Sequence, residues 1–213
     1  MNTYHKIQTM FKRDMENPKH PIIIGDWTLP EFEYLKDLQW QFTEKVDGTN
    51  IRVMFDGEKV YYGGKTDNAQ MKGDLVQRLR DLFDSKIELF KEIFPLKEGE
   101  STKVCFYGEG YGAGIQTGGC YKQTKDFVLF DIKIGDLWLN RKDVEDIASK
   151  FEIDIVPIVG QGTLQEGIYI VRNGLKSQWG DFIAEGIVAR PIVELRTRRG
   201  ERVITKIKYC DFN

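Results

Sequence analysis

Residues 44–50, with the sequence Glu-Lys-Val-Asp-Gly-Thr-Asn, lie between two segments that have the residue pattern of β-strands. The first segment ends near Phe42, and the second begins at Ile51, where apolar and other residues alternate. A lysine at the junction of a strand and a turn can point into a cleft while the strand holds its backbone. The same residues also fit an Asp-Gly hairpin turn with an exposed lysine, and taken alone they favour that turn.

Four further segments place charged or aromatic side chains in or beside predicted strands. Each of them, taken alone, also fits an ordinary structural role, but their order and spacing are specific. They are Phe106-Tyr107-Gly108-Glu109, Phe130-Asp131-Ile132, Glu185-Gly186-Ile187-Val188 and Lys206-Ile207-Lys208. The two lysines of the last segment are two residues apart and therefore lie on the same face of a strand.

Together with residues 44–50, these segments resemble the covalent nucleotidyltransferase superfamily of ATP-dependent ligases and mRNA capping enzymes. The resemblance covers residues 40–208. Within the superfamily, this sequence most resembles phage-type RNA ligases of the second T4 kind and RNA-editing ligases. The resemblance implies an α+β nucleotidyltransferase (adenylyltransferase) fold of antiparallel sheets flanked by helices, with an ATP-grasp-like core. It also implies an enzyme that uses ATP and Mg²⁺ or Mn²⁺ to join RNA with 5′-phosphate and 3′-hydroxyl ends.

The resemblance also assigns roles to individual residues. Lys45 is the lysine that becomes covalently bonded to AMP, and Lys206 and Lys208 contact phosphate. Glu109 and Glu185 contact ribose or hold the metal, directly or through water. For adenine, the resemblance implies that Glu44 helps to recognise the base and that Phe130 stacks on it, with Phe127 as the alternative stacking residue. The remaining candidates for ATP or AMP binding are Asn50 and Lys65.

The chemistry needs a neutral amine next to a nucleotide. A free lysine has a pKa of about 10.4, so deprotonation at pH 7 costs roughly 4–5 kcal/mol. Neighbouring cations reduce this cost because they disfavour the charged amine. Lys206, Lys208 and a metal could supply that positive potential and offset the charge of the leaving pyrophosphate.

Two positions bear on the choice among relatives. DNA ligases and capping enzymes usually carry arginine where this chain has Asn50, whereas the RNA ligases often carry asparagine. RNA ligases often have arginine in the region of Lys65, and lysine binds phosphate only as a point charge. A DNA ligase that acts on nicks, or a non-catalytic nucleic-acid-binding relative, therefore remains an alternative.

Composition limits the other possibilities. The chain has 213 residues, with 31 basic and 33 acidic side chains, so it is not a polycation. Three cysteines and two histidines do not have the spacing of a disulfide framework or a structural zinc site. We expect one nucleotidyltransferase domain over residues 1–213, no C-terminal accessory domain, no membrane contact and a cytoplasmic location, the host cytoplasm if the protein is viral.

Known phosphate-binding motifs are incomplete in this sequence. Gly64-Lys65-Thr66 resembles the end of a P-loop, but Lys59 stands where that motif needs glycine. Alanine at position 113 likewise breaks a dinucleotide-binding glycine pattern in the loop 108–119.

Residues 190–208 carry seven basic and two acidic side chains in a chain that is otherwise balanced. Two interpretations fit this segment equally well: a basic strip that follows a phosphate backbone, and a solvated hairpin with Arg199-Gly200 at its turn.

Elsewhere, Asp56-Gly57 predicts a hairpin turn, and residues 70–94 predict one or two helices. Thr163 and Glu166 have the spacing of a capping box before a helix that ends near Gly174.

Overall fold

The computed structural model describes residues 3–95 and 103–212. The chain forms two compact units. Unit 1 comprises Met1–Tyr4 and Asp47–Val156, and unit 2 comprises His5–Val46 and Pro157–Asn213. One boundary between them falls between Val46 and Asp47, inside the stretch of residues 44–50. The expectation of one domain over residues 1–213 stays a prediction.

The described residues form short strands and helices in alternation. The strands are β1 (Gln8–Thr9), β2 (Phe11–Arg13), β3 (Ile22–Trp27), β4 (Trp40–Glu44), β5 (Thr49–Phe55), β6 (Val60–Gly63), β7 (Val104–Tyr111), β8 (Asp126–Ile134), β9 (Leu137–Trp138), β10 (Ile158–Gly162), β11 (Gly186–Pro191) and β12 (Thr205–Lys208). The α-helices are α1 (Pro30–Tyr34), α2 (Gly73–Phe83), α3 (Ile87–Ile93), α4 (Arg141–Lys150) and α5 (Leu164–Arg172).

Unit 1 is built on a five-stranded sheet in the order β6-β5-β7-β8-β9, in which all neighbouring strands are antiparallel. The hairpin between β5 and β6 turns at Asp56-Gly57, as predicted, with Gly57 at φ +105°. Along β5, Ile51 and Val53 enter the core, where residues of α2, α3 and α4 also pack. The alternating residues, Arg52 and Met54, are buried as well, so β5 is covered on both faces.

Unit 2 contains a five-stranded sheet in the order β1-β12-β11-β4-β10 and the separate hairpin β2-β3. Its pairs are antiparallel except for β1 and β12, which are parallel. The antiparallel α+β class is thus confirmed, with this one parallel pair as a difference. Trp40, Phe42 and Ile187 pack in its core against α5. α5 begins with the predicted capping box, in which Thr163 accepts from the Glu166 N–H and Glu166 accepts from the Thr163 N–H.

The Asp-Gly turn at residues 47–48 is not a hairpin turn. β4, which precedes it, pairs in the sheet of unit 2, whereas β5, which follows it, pairs in the sheet of unit 1. The simpler interpretation of residues 44–50 is therefore wrong.

No helix among the described residues combines the length and the apolar character that a membrane span requires. The three cysteines, Cys105, Cys120 and Cys210, are all free thiols.

We expect Gly108→Ala to destabilise the protein by about 1–3 kcal/mol, the usual cost of overpacking. A Cβ atom at Gly108 on β7 would lie 2.3 Å from the Phe127 ring and 2.4 Å from the Val128 carbonyl oxygen. The matched control is Gly73→Ala at the start of α2, where a Cβ atom would meet nothing within 4 Å. Urea denaturation measures both; an unchanged free energy of unfolding for Gly108→Ala would contradict this packing.

Candidate active site

Three charged side chains meet at the ends of neighbouring strands in unit 2. Lys45 directly follows β4, Glu185 directly precedes β11, and Lys208 ends β12. Because β11 lies between β4 and β12, it places Glu185 beside both lysines. The Lys45 Nζ lies 2.6 Å from Glu185 Oε2, and the Lys208 Nζ lies 2.5 Å from Glu185 Oε1. One carboxylate therefore binds two ammonium groups, one through each oxygen.

Backbone hydrogen bonds fix the residues that carry these charges. The Lys45 N–H donates to the Gly186 carbonyl at 3.0 Å, and the Tyr209 N–H donates to the Glu185 carbonyl at 2.8 Å. A Cβ atom at Gly186 would lie 2.0 Å from the Ile207 carbonyl oxygen. Glycine after Glu185 thus lets β11 approach β12 closely enough for the carboxylate to reach Lys208.

Lys206 and Lys208 share a face of β12, as their spacing predicts. Burial, and then the positive charges of Lys208 and Lys45, lower the pKa of Lys206. Burial also acts to lower the pKa of Lys208, but the hydrogen bond to Glu185 and its negative charge outweigh burial, so the pKa of Lys208 is raised. Lys208 is therefore a lasting positive charge at neutral pH.

The surroundings of Lys45 combine positive and negative charges. The sequence predicts nearby cations that disfavour a charged amine, and the charges of Lys45 and Lys206 do act on each other. The structure adds a direct contact between the Lys45 Nζ and the Glu185 carboxylate.

Glu44, the residue before Lys45, is 1% exposed and fully engaged within unit 2. Its Oε1 accepts from the Ser177 hydroxyl at 2.6 Å, and its Oε2 accepts from the Gln178 N–H at 2.8 Å. Burial raises the pKa of Glu44, although these two hydrogen bonds act to lower it. Glu44 thus anchors the loop that leads to Glu185, and both of its oxygens are used without any adenine.

Asp47 and Gly48 begin the part of the stretch that belongs to unit 1. Asp47 Oδ2 accepts from the N–H of Thr117 at 3.2 Å and from its hydroxyl at 2.5 Å, and the Asp47 N–H donates to the Tyr121 hydroxyl at 3.2 Å. A Cβ atom at Gly48 would lie 2.4 Å from the Gly110 carbonyl oxygen. Asp-Gly therefore serves a close approach to β7 and to the glycine-rich loop that follows it.

Burial in unit 1 distinguishes between Phe127 and Phe130, the two candidates for stacking on adenine. Phe127 is 1% exposed and packs in the core against Phe83, with ring centroids 5.7 Å apart. Phe130 is partly exposed and contacts the edge of Tyr4 at 5.0 Å. Because Phe127 has no accessible face, Phe130 is the better candidate.

Asn50 and Glu109 face each other as register partners on β5 and β7. The Asn50 Oδ1 is buried and has no hydrogen-bond partner among the described residues. A buried acceptor without a partner is costly unless a ligand or water satisfies it. Asn50 therefore retains its assignment as a binding residue, as a prediction.

Lys65 is exposed on the turn after β6, and the buried Arg52 holds that turn. The Arg52 Nε donates to the Gly64 carbonyl at 2.8 Å, and its Nη2 donates to Asp67 at 2.7 Å. Arg52 thus bonds to residues on both sides of Lys65 in the sequence.

Unit 2 therefore brings together five candidates, and the other four lie in unit 1. The first group is Glu44, Lys45, Glu185, Lys206 and Lys208; the second is Asn50, Lys65, Glu109 and Phe130. No group of three or more histidine, cysteine or acidic side chains with metal-binding geometry occurs in the described part of the chain.

Sequence reasoning missed the residues that support these candidates, namely Ser177, Gln178, Arg52, Thr117 and Tyr121. Arg52 carried a signal, since a charged residue interrupts an apolar strand there. The others did not, because their contacts join positions 70 to 134 residues apart.

The fold and the comparisons with known proteins agree. A family model described as RNA ligase matches residues 38–208, which is most of the chain. The chain therefore belongs to the RNA ligase family, and the resemblance drawn from its motifs is confirmed.

Solved structures of RNA ligase from Naegleria gruberi share the fold. A variant with ATP and Mn superposes with a TM-score of 0.69 at 14% identity, covering 98% of this chain and 56% of that one. The structure with PPi superposes with a TM-score of 0.65 at 17% identity, and the match covers 94% of this chain and 55% of that chain. Another variant with ATP and Mn superposes with a TM-score of 0.65 at 16% identity, and the match covers 84% of this chain and 52% of that chain. The chain spans about half the length of these proteins.

We expect Glu44→Gln to change how stability depends on pH. Because burial raises the pKa of Glu44 in the folded state above its ordinary value of 4.5, the folded protein binds this proton more tightly than the unfolded chain. Its contribution to stability is complete below pH 4.5 and is lost as the pH rises through the folded-state pKa. Glutamine does not titrate, so the stability of Glu44→Gln relative to wild type should increase as the pH rises above 4.5.

Urea denaturation across this pH range measures the difference. Glu88→Gln is the control, because the Glu88 side chain on α3 is 85% exposed. Parallel pH profiles for wild type and Glu44→Gln would show that the Glu44 carboxyl is not held as described.

Proposed function

We propose that this chain is an ATP-dependent RNA ligase that joins a 5′-phosphate end to a 3′-hydroxyl end through a covalent lysyl-AMP at Lys45. The observation that supports this most directly is the Glu185 carboxylate held between Lys45 and Lys208. Membership of the RNA ligase family, over a match that includes all three residues, supports the same activity.

In the first step, the Nζ of Lys45 attacks the α-phosphorus of ATP. An N–P bond forms, the bond from this phosphorus to the pyrophosphate oxygen breaks, and the amine loses a proton. Lys45 has to leave its contact with Glu185 to present a lone pair. Lys208, whose proton is held by Glu185, and Lys206 on the same strand face offset negative charge on the phosphates.

In the second step, a 5′-phosphate oxygen of the RNA attacks the phosphorus of lysyl-AMP, and the N–P bond breaks. In the third step, a 3′-hydroxyl oxygen attacks the 5′-phosphorus, a phosphodiester forms and AMP leaves. In the second step the Lys45 amine leaves and takes up a proton, and in the third the leaving group is the AMP phosphate; both steps take place on anionic phosphates, which the lysine face on β12 can offset.

A divalent cation fits the donor chemistry of this site. Carboxylate oxygens are the ligands that Mg²⁺ and Mn²⁺ prefer, and Mg²⁺ needs only one or two of them in addition to phosphates and water. Glu185 is the candidate ligand in unit 2, and its two oxygens already bind ammonium groups. When bound, the cation neutralises charge on the triphosphate. The Naegleria gruberi RNA ligase structures with ATP and Mn support the choice of nucleotide and metal.

The candidates in unit 1 complete the proposal. Phe130 offers an aromatic face for adenine, and such stacking contributes about 1–3 kcal/mol per base. Asn50 and Glu109 offer polar groups for the nucleotide, and Lys65 offers a charge for phosphate. Glu44 supports the lysine segment, because both of its oxygens are already bonded. The three free cysteines suit a reducing compartment, which supports a cytoplasmic location.

We expect Lys45→Ala to abolish covalent labelling of the protein by α-labelled ATP with magnesium, because the variant lacks the nitrogen that attacks ATP in the proposed first step. Lys12→Ala, which removes a 54% exposed lysine from unit 2, should label like wild type. Gel electrophoresis after denaturation measures the label, and circular dichroism checks folding of both variants. Wild-type protein that never labels would contradict the proposed activity.

A chase of the labelled protein then identifies the substrate. RNA with a 5′-phosphate should remove the label and appear as the adenylylated strand, followed by the sealed product. Nicked DNA of the same sequence should react more slowly. Equal or faster sealing of DNA would assign the activity to DNA instead.

A further inference from the structure

The basic residues of the segment 190–208 divide into three groups. Arg190 and Arg202 are buried, with 8% and 7% exposure. Lys206 and Lys208 belong to the candidate active site. The remaining three arginines, at positions 196, 198 and 199, are exposed.

These three arginines lie on a short hairpin, residues 195–203, which we call the arginine hairpin. Its strands are joined by hydrogen bonds from the Val203 N–H to Leu195 and from the Thr197 N–H to Glu201, at 2.9 and 2.8 Å. Gly200 closes the turn with φ +81°, a conformation that favours glycine. Of the two interpretations that the sequence left open, the structure shows the hairpin with Arg199-Gly200 at its turn.

An ion pair between the buried Arg202 and the more exposed Glu194 holds the base of the arginine hairpin. Arg202 donates to both carboxylate oxygens of Glu194, through Nε at 2.6 Å and Nη2 at 3.1 Å. This two-bond contact fixes the hairpin and uses the charge of Glu194. The exposed arginines therefore lie on a hydrogen-bonded hairpin whose base is tied by this ion pair.

The exposed charges of the arginine hairpin are not neutralised locally. Arg196, Arg198 and Arg199 form no ion pair in the described part of the chain, whereas exposed lysines elsewhere, such as Lys12 and Lys150, do. Glu201 is the one acidic side chain on the hairpin besides the base residue Glu194. The hairpin thus carries a net positive charge that faces solvent.

We propose that the arginine hairpin binds the phosphodiester backbone of the RNA strand, independently of its sequence. This rests on the proposed function, because it requires the RNA end to reach Lys206 and Lys208. Arg199 lies seven residues before Lys206, a distance of at most about 25 Å along an extended chain. One RNA strand can therefore contact both, and guanidinium groups match phosphate oxygens in pairs. Phosphate contacts of this kind position the strand without reading bases.

The test is the salt dependence of RNA binding by the double variant Arg198→Gln/Arg199→Gln of the full chain. Fluorescence anisotropy with a labelled, 5′-phosphorylated RNA measures the affinity over a series of salt concentrations. We expect weaker binding at low salt and a slope of log affinity against log salt that is less steep by about 1.4, since each phosphate contact contributes about 0.7 on a single strand. Covalent labelling by ATP should equal that of wild type.

The control Lys12→Gln/Lys19→Gln removes two exposed charges from unit 2 and should leave the slope unchanged. An unchanged slope and affinity in the arginine variant would overturn the proposal, as would an equal loss in the control, which would reflect net charge alone. These outcomes are independent of the proposed activity, whose failure would appear as wild-type protein that does not label with ATP.

Discussion

The Glu185 carboxylate between Lys45 and Lys208 is the contact on which the candidate active site depends. It exists because β11 is the middle strand of three, so that residues at the ends of β4, β11 and β12 become neighbours. Gly186 permits the close approach that lets one side chain reach both amines. In the proposed reaction Lys45 has to leave this contact before its nitrogen can attack ATP.

The contacts of Asp47 and Gly48 explain why an aspartate and a glycine stand shortly after Lys45. Gly48 passes so close to the Gly110 carbonyl that any side chain would collide, and Asp47 is held by Thr117 and Tyr121. On the other side of Lys45, the buried Glu44 bonds to the loop before β11. The stretch of residues 44–50 is therefore fixed by contacts of Glu44 in unit 2 and of Asp47 in unit 1.

Local patterns predicted much of the fold, and long-range contacts did not follow from them. The turn at Asp56-Gly57 and the capping box at Thr163 were predictable because each depends on residues a few positions apart. The strand β10 was missed, since Gly160 and Gly162 disrupt its pattern. Among the site residues, order and spacing identified the charged candidates, but the partners of Glu44 lie more than 130 residues away and left no trace in the sequence.

In the proposed reaction Lys45 is the nucleophile, although Lys206 and Lys208 are its neighbours. Lys206 has a pKa lowered by burial and by the charges around it, so it is the natural rival on chemical grounds. Tandem mass spectrometry of the full chain after incubation with ATP and magnesium decides between them, because it locates the bound AMP on a peptide. The account predicts AMP on Lys45 alone; AMP on Lys206 or Lys208, or on no lysine of the folded protein, would contradict it.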